Sequence, residues 1–284
     1  MKIRLITALG FILAHTCEWQ THAHQDLTTL IGKLTAQIST NQNDVEALLQ
    51  RADLYRLHTN WAEAKSDYTA VQKLTPDSIP LLLGIAQLQV DTGNDSAARS
   101  AFDAVLSRDP TNWVGLFGRA QVLARLGERN AAIADYSRGL AWTTFPRPDQ
   151  FLDRASLQAT EFGAVAAIKG LDEGMARLGW LVTLQKAAID LELKHHRTDE
   201  AMTRLETIIA RSNRKETWLA WKGEILLAAG KADEAHEVLL RTLKTIDGLP
   251  SRMRTSPGMT ELRAKVERLL ASSPVSVAAD KKAD

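Results

Sequence analysis

The sequence predicts an all-α fold: a right-handed α-solenoid of about six antiparallel helix pairs, with a capping helix at each end. Three observations lead to this prediction. One alanine recurs about every 34 residues through most of the 284-residue chain, and a fixed interval of this length is typical of repeat proteins. Apolar residues between these alanines follow the helical period. Residues that favour chain reversal fall where the two helices of a pair must turn back.

Three columns of residues define the repeat. The first is alanine throughout: Ala64, Ala98, Ala132, Ala167, Ala201 and Ala235. The second lies twelve residues earlier and is small in five of six members: Ala52, Ala86, Ala120, Ala155, Ile189 and Gly223. The third lies four residues after the first: Tyr68, Phe102, Tyr136, Leu171, Leu205 and Leu239. Small residues let two helices approach closely and the third column fills the space between neighbouring pairs, so we expect all three columns to be buried.

The chain begins with features that are typical of an export signal. Lys2 and Arg4 precede an apolar stretch at 5–14, and Thr21 and Ala23 provide the small residues of a cleavage site after Ala23. We therefore expect a periplasmic or secreted protein. Cys17 is the only cysteine, and the alternative is a lipoprotein that Cys17 anchors to a membrane. A third interpretation is a buried N-terminal helix of a cytoplasmic protein.

The remaining elements follow in order along the chain. Residues 27–38 and 259–270 each have apolar residues on one side, which predicts a capping helix at each end of the repeats. The polar and small residues that follow the second of these helices predict a disordered tail. Ile189 is larger than the other members of the second column. This difference allows the first helix of the fifth pair to be shifted by one residue. The predicted domains are a signal peptide at 1–23, an N-terminal cap at 24–44, six repeats within 45–243 (about 45–78, 79–112, 113–147, 148–181, 182–215 and 216–249), a C-terminal cap at 258–271 and a tail at 272–284.

The spacing of small residues, aromatic residues and closing prolines resembles the tetratricopeptide repeat. Pro76 and Pro110 close the first two units, where a proline ends the second helix of a pair. The resemblance covers residues 45–243 and implies six helix pairs, with the first helix of each pair lining a concave face. It also implies a role in binding proteins or peptides.

Composition and motifs argue against several other functions. The chain has 35 lysine and arginine residues against 34 aspartate and glutamate residues, with no basic stripe, so we expect no nucleic-acid partner. His195 and His196 are adjacent in a predicted turn without other ligands at metal-binding spacing, so we expect them to be solvated. No glycine-rich phosphate loop or catalytic triad is evident. The sequence thus predicts no cofactor, no metal site and no enzyme.

The resemblance also assigns a candidate groove on the first helices. The predicted partner-binding residues are Gln50, Asp53, Gln87, Gln121, Arg125, Asp153, Ser156, Asp190, Lys194, Trp221 and Glu224. Gly84 and Gly118 lie among them and are expected to leave room for a partner's side chains. Trp221 has two interpretations, a binding anchor or a residue that packs against the neighbouring pair or the cap.

Some members of the family hold the C-terminal carboxylate of a chaperone with lysines and asparagines in these columns. Asp53, Gln87 and Gln121 stand there instead, which disfavours a co-chaperone of that kind. The sequence therefore predicts a non-catalytic protein–protein interaction scaffold of the bacterial cell envelope that binds a protein or extended peptide in its groove. The alternative is an accessory subunit of an envelope enzyme or of a cell-wall or polysaccharide assembly complex, contacted on the convex side or at the C-terminal cap.

Overall fold

The computed structural model describes residues 27–272, and these residues form helices joined by short turns. The predicted signal peptide lies outside the described residues, as does the predicted tail beyond Ser272, the last residue of the final helix. Among residues 27–272, none of the helices has the length and apolar character needed to cross a membrane.

The described chain divides into two compact units, with the boundary between Phe145 and Pro146. The helices of the N-terminal unit are α1 (27–40), α2 (Val45–Leu57), α3 (Trp61–Leu74), α4 (Ile79–Asp91), α5 (Asp95–Arg108), α6 (Trp113–Arg125) and α7 (Arg129–Trp142). The helices of the C-terminal unit are α8 (Pro148–Glu161), α9 (Ala164–Leu178), α10 (Val182–Lys194), α11 (Thr198–Arg211), α12 (Glu216–Ala228), α13 (Ala232–Asp247), α14 (Ser251–Arg254) and α15 (Pro257–Ser272).

Within each unit, consecutive helices pack as pairs, and each pair packs against the next. The first helices begin at the same intervals as the alanine column: Val45, Ile79, Trp113, Pro148, Val182 and Glu216. The allowed shift in the fifth pair does not occur, because α10 begins at Val182, 34 residues after the start of α8 and 34 before the start of α12. The helix buries both Ala188 and Ile189 completely.

The alanine column lies at the contact between the two helices of each pair. All six alanines have no exposed surface, and the aromatic or leucine column is at most 2% exposed. The all-α fold built from stacked helix pairs is therefore confirmed, and the packing of small against large residues is its physical basis.

Two helices outside the six pairs pack on the ends of the units. Leu34 and Ile38 of α1 are buried in a cluster with Leu48 and Tyr68. At the other end, Val266 of α15 is buried in a cluster with α12 and α13. The face of α15 directed away from that cluster is polar, with Glu261 among its exposed residues. Such a face suits the end of a repeat array, because it needs no further helix to cover it.

Candidate functional site

The predicted groove residues all lie on first helices, and most of their side chains are accessible. Gln87, Trp221 and Glu224 are half-buried. The exposed members are Gln50, Asp53, Gln121, Arg125, Asp153, Ser156, Asp190 and Lys194. Each unit therefore presents a row of polar side chains along its first helices.

In the N-terminal unit, hydrogen bonds hold two of the predicted groove residues, Asp53 and Gln87, in place. The phenol of Tyr68 donates to Oδ1 of Asp53 at 2.6 Å. Nε2 of Gln87 donates to Oδ1 of Asp91 at 2.9 Å, and Nη1 of Arg56 donates to the other oxygen of Asp91. Burial, followed by the hydrogen bond to Asp53, raises the pKa of Tyr68, so the phenol remains a donor at neutral pH.

The structure contradicts the expectation that two glycines leave room for a partner. A methyl carbon at Gly84 would lie 2.5 Å from Cε1 of Tyr68, and one at Gly118 would lie 2.3 Å from Cζ of Phe102. The aromatic rings of the preceding second helices thus occupy this space. The glycines serve the packing between pairs, and a partner's side chain cannot enter the space that these rings fill.

Arg125 lies near the end of α6 and is engaged with the preceding pair. Its Nε and Nη2 donate to Oδ1 of Asp95 at 2.9 and 2.6 Å. The hydrogen bonds from Arg125 lower the pKa of Asp95. A partner that uses Arg125 must therefore share this cation with Asp95.

Trp221 in the C-terminal unit packs against the neighbouring pair, as the second of its two sequence interpretations states. It packs against the buried cluster that contains Leu205, and its ring centroid lies 6.2 Å from that of Trp218. Its outer face remains accessible, and Nζ of Lys186 lies 5.3 Å from the ring centroid. Lys186 also donates to Asp190 at 2.7 Å. Trp221, Lys186 and Asp190 therefore form a connected polar and aromatic surface.

Glu224 is covered by the C-terminal helix more than the sequence suggests. Its Oε1 lies 2.5 Å from Nζ of Lys265 in α15. This ion pair places Glu224 at the contact between the last pair and α15, so a partner that uses Glu224 must share it with Lys265.

Sequence reasoning missed a set of ion pairs that join the two helices of a pair. Nε and Nη2 of Arg51 donate to both oxygens of Asp67 at 2.7 and 2.8 Å, and Arg119 makes the same bidentate contact with Asp135 at 2.6 and 2.8 Å. The hydrogen bond to Asp135 raises the pKa of Arg119. In each of these ion pairs the arginine and the aspartate are 16 residues apart in the sequence. The two ion pairs lie two repeats apart, and this recurrence is the signal that the sequence offered.

The fifth pair reverses this arrangement. Arg204 stands on the second helix, α11, and donates from Nε to Glu192 of α10 at 2.8 Å. It also contacts both oxygens of Asp172 in α9 at 2.8 and 3.1 Å. Because the arginine and the acids have exchanged helices, the repeat period alone does not reveal this contact.

The histidines in the turn of the fifth pair are exposed. Within residues 27–272, no group of three or more histidine, cysteine, aspartate or glutamate side chains is arranged to hold a metal ion.

Comparisons with known proteins agree with the repeat. Profiles described as tetratricopeptide repeat match residues 46–78, 83–146 and 186–250, together more than half of the chain. The tetratricopeptide repeat and J domain-containing co-chaperone DNJ1 of Fusarium oxysporum f. sp. lycopersici is 28% identical over 153 residues. That match covers 50% of this chain and only 29% of the co-chaperone.

Solved structures with low sequence identity share the fold. A tetratricopeptide repeat protein from Parabacteroides merdae has a TM-score of 0.52 at 17% identity, and the match covers 88% of this chain and 95% of that one. PilF of Pseudomonas aeruginosa has a TM-score of 0.53 at 15% identity, with 78% and 97% covered. The profile matches and the stacked helix pairs together show that this chain belongs to the tetratricopeptide repeat family, whose members are generally protein-interaction scaffolds.

Proposed function

We propose that the protein is a non-catalytic scaffold that binds an extended segment of a protein partner along the first helices of its N-terminal unit. The observation that carries this proposal is the equivalent placement of Asp53, Gln87 and Gln121. They lie 34 residues apart, one on each of three first helices, α2, α4 and α6, that pack side by side. Each offers carboxylate or amide groups at an accessible surface.

The spacing of these helices suits an extended peptide. Packed helices lie about 8–10 Å apart, and an extended chain advances about 3.3 Å per residue. One groove residue therefore meets about every third residue of the peptide. Glutamine amides both donate and accept hydrogen bonds, so Gln87 and Gln121 can pair with the peptide backbone whatever its sequence.

Charge favours an internal segment of the partner over its C-terminus. Asp53 and Asp91 share the single cation of Arg56 on this surface, which leaves an excess of one negative charge that would repel a terminal carboxylate. Arg56 and Arg125 are already paired with Asp91 and Asp95. A neutral or basic segment is thus the better ligand for the N-terminal unit.

We place the protein in the bacterial cell envelope, as a periplasmic or secreted chain. The support is the basic start, the apolar stretch and the small residues before His24. Mass spectrometry of the mature N-terminus, after expression in a Gram-negative host, tests this. A chain that begins at His24 supports export with cleavage, and a lipid on Cys17 supports the anchored alternative. An intact N-terminus would contradict both.

The groove is tested with a variant that makes it positively charged, Asp53→Lys with Gln87→Lys and Gln121→Lys. Envelope proteins are cross-linked to the wild type and to the variant, and the linked peptides are identified by mass spectrometry. We expect the variant to lose the partner peptides that map to α2, α4 and α6. The control carries Ser66→Lys, Ser100→Lys and Ala134→Lys, three exposed positions at the same 34-residue spacing on the second helices.

The alternative function makes the opposite prediction in this experiment. An accessory subunit contacted on the convex side or at the C-terminal cap would keep its partner in the groove variant and lose it in the control or in variants of α15. Recovery of the same partner peptides from both lysine variants would exclude the N-terminal unit as the binding surface.

A further inference from the structure

The first helices of the N-terminal unit, α2, α4 and α6, carry no cation that is free for a partner. They contain no lysine, and each of their four arginines pairs with an acid at 2.5–2.7 Å. Three of these ion pairs use acids of the second helices and leave no positive charge, and the fourth joins α2 to α4. The four ion pairs are Arg51–Asp67, Arg119–Asp135, Arg125–Asp95 and Arg56–Asp91.

Carboxylates outnumber the remaining cation on these helices. Those of Glu46, Asp53 and Asp91 make three, and they stand against one guanidinium, which leaves an excess of two negative charges on α2 and α4. Glu46 is exposed, and its carboxylate accepts a hydrogen bond from the amide of Gln50 at 3.2 Å without a cationic partner among the described residues. Charge complementarity therefore favours a cation at this surface.

Asp53 is the carboxylate best placed to receive that cation. Its Oδ1 accepts the hydrogen bond from the phenol of Tyr68, and Tyr68 is only 2% exposed, so a buried residue orients the carboxylate. Its Oδ2 accepts no hydrogen bond within residues 27–272, and the side chain of Asp53 is 53% exposed. A partner thus meets an accessible oxygen whose position is already fixed, which lowers the entropic cost of binding.

An exposed apolar side chain lies one helical turn beyond this carboxylate. Glu46, Gln50, Asp53 and Leu57 follow one another at intervals of four, three and four, so they share one side of α2. Leu57 is 64% exposed. The side chains of lysine and arginine combine an apolar stem with a charged end, and the surface of Leu57 and Asp53 offers a matching contact to each part.

We infer that the groove of the N-terminal unit selects partner segments that carry a basic side chain, with its cation at Oδ2 of Asp53 and its stem on Leu57. The inference rests on the proposed function, because it names the residue type that the proposed groove recognises. Gln87 and Gln121 pair with any peptide backbone, whereas the contact with Asp53 and Leu57 makes the groove specific.

NMR spectroscopy of the isotope-labelled protein provides the test, with the backbone amide signals of α2 as the reporter. The probe is the peptide acetyl-Gly-Lys-Gly-amide. Two control peptides carry norleucine, which has a similar stem without the ammonium, or glutamate, which has the opposite charge. We expect the lysine peptide to shift the amide signals around Asp53 until they saturate, with a Kd that rises with salt. Equal binding of either control peptide would overturn the inference.

Asp53→Asn assigns the binding to the carboxylate. The variant keeps an acceptor for Tyr68 and removes the charge, and we expect the Kd of the lysine peptide to rise about twofold to fivefold, the range of an exposed ion pair. Glu63→Gln is the matched control, since it removes one exposed carboxylate from α3 of the same pair. An unchanged Kd in Asp53→Asn, or an equal rise in Glu63→Gln, would contradict the inference.

Leu57→Lys tests the same site without altering Asp53. The new ammonium stands four residues after Asp53, where it pairs with the carboxylate and competes with the peptide. We expect the saturable shifts at Asp53 to disappear in this variant. Leu74→Lys places the same charge at an exposed position at the end of α3 and should leave binding intact. Binding that survives in Leu57→Lys would show that the peptide lies elsewhere.

The cross-linking experiment separates the failure of this inference from the failure of the proposed function. If partner segments map to α2, α4 and α6 but contain no lysine or arginine, the inference is wrong and the scaffold function stands. If no partner segment maps to these helices while the lysine peptide binds at Asp53, the proposed function is wrong and the preference of this surface for a basic side chain stands.

Discussion

At the scale of single residues, the turns inside the pairs depend on a left-handed backbone. Glycines take this conformation in four of the turns: Gly93, Gly127, Gly163 and Gly230. Thr59 and His196 take it in the other two, with φ of 62° and 59°. The left-handed region is costly for residues with a Cβ atom, and a branched side chain such as that of threonine fits it least.

Replacement of Thr59 by glycine should stabilise the protein. Left-handed backbone costs an L-residue about 1–2 kcal/mol, and the greater freedom of glycine in the unfolded chain offsets about 0.5–1 kcal/mol of this gain. We expect Thr59→Gly to raise the free energy of unfolding by up to about 1.5 kcal/mol, measured by urea denaturation. Thr59→Ala keeps a Cβ atom and serves as the control. If both variants gain equally, the strain at Thr59 is not the cause.

The contact between Gly118 and Phe102 makes a second prediction. Gly118→Ala should lower the free energy of unfolding by about 1–3 kcal/mol, because the new methyl group meets the ring of Phe102. Gly32→Ala in α1 meets no atom within 4 Å and should be neutral or stabilising, since alanine favours helix.

Rescue of Gly118→Ala by Phe102→Leu is the check on that mechanism. Leu205 packs in the same cluster as Trp221, which shows that a smaller second-helix residue accommodates a larger first-helix residue. A double-mutant cycle should therefore show favourable coupling between Gly118→Ala and Phe102→Leu. Additive losses would argue against the steric explanation.

At the scale of helices, sequence periodicity predicted the contacts that recur in every helix pair. It missed the contacts that occur in one pair only. The alanine column, the aromatic column and the turns were predictable because the same contact recurs every 34 residues. The role of Gly84 was not, since a glycine gives no sign of which ring will lie against it. The reversed ion pair of Arg204 was not predictable either, because its two acids come from different helices and do not share its period.

Helix caps provide a prediction at this scale about pH. Asp44 precedes α2 and accepts hydrogen bonds from the backbone N–H of Ala47 and from Gln37, which lower its pKa in that order of importance. A lowered pKa in the folded state stabilises the protein above the unfolded value, about 4. That stabilisation is lost as the pH falls through the folded pKa.

The variant Asp44→Asn keeps an acceptor at the cap but cannot ionise. We expect the wild type to unfold at higher urea concentration than the variant at about pH 7, and the difference to shrink towards about pH 3. Other carboxylates titrate in both proteins, so their effects cancel in this comparison. A difference that is independent of pH would show that the charge of Asp44 contributes nothing at this cap.

At the scale of the whole molecule, stability is built from contacts between neighbouring helices. Within each unit a helix contacts its own pair and the adjoining pair, as in other repeat arrays. A terminal helix therefore stabilises its neighbours directly and more distant helices only through them. Because stabilisation is local, a candidate binding surface in one unit can be altered by mutation, and the stability of the other unit then serves as an internal reference.

Val266 tests this view, because it anchors α15 to the last pair and is fully buried beside Ala220 and Leu239. Val266→Ala should cost about 2 kcal/mol, from lost burial and the cavity left behind. Hydrogen exchange measured by mass spectrometry should show the loss of protection mainly in α12, α13 and α15, with less change in α8 to α10. Ala264→Ser, exposed on the same helix, should leave exchange unchanged. An equal loss of protection in α2 to α6 would mean that the chain unfolds as one cooperative body, and local contacts alone would then not explain its stability.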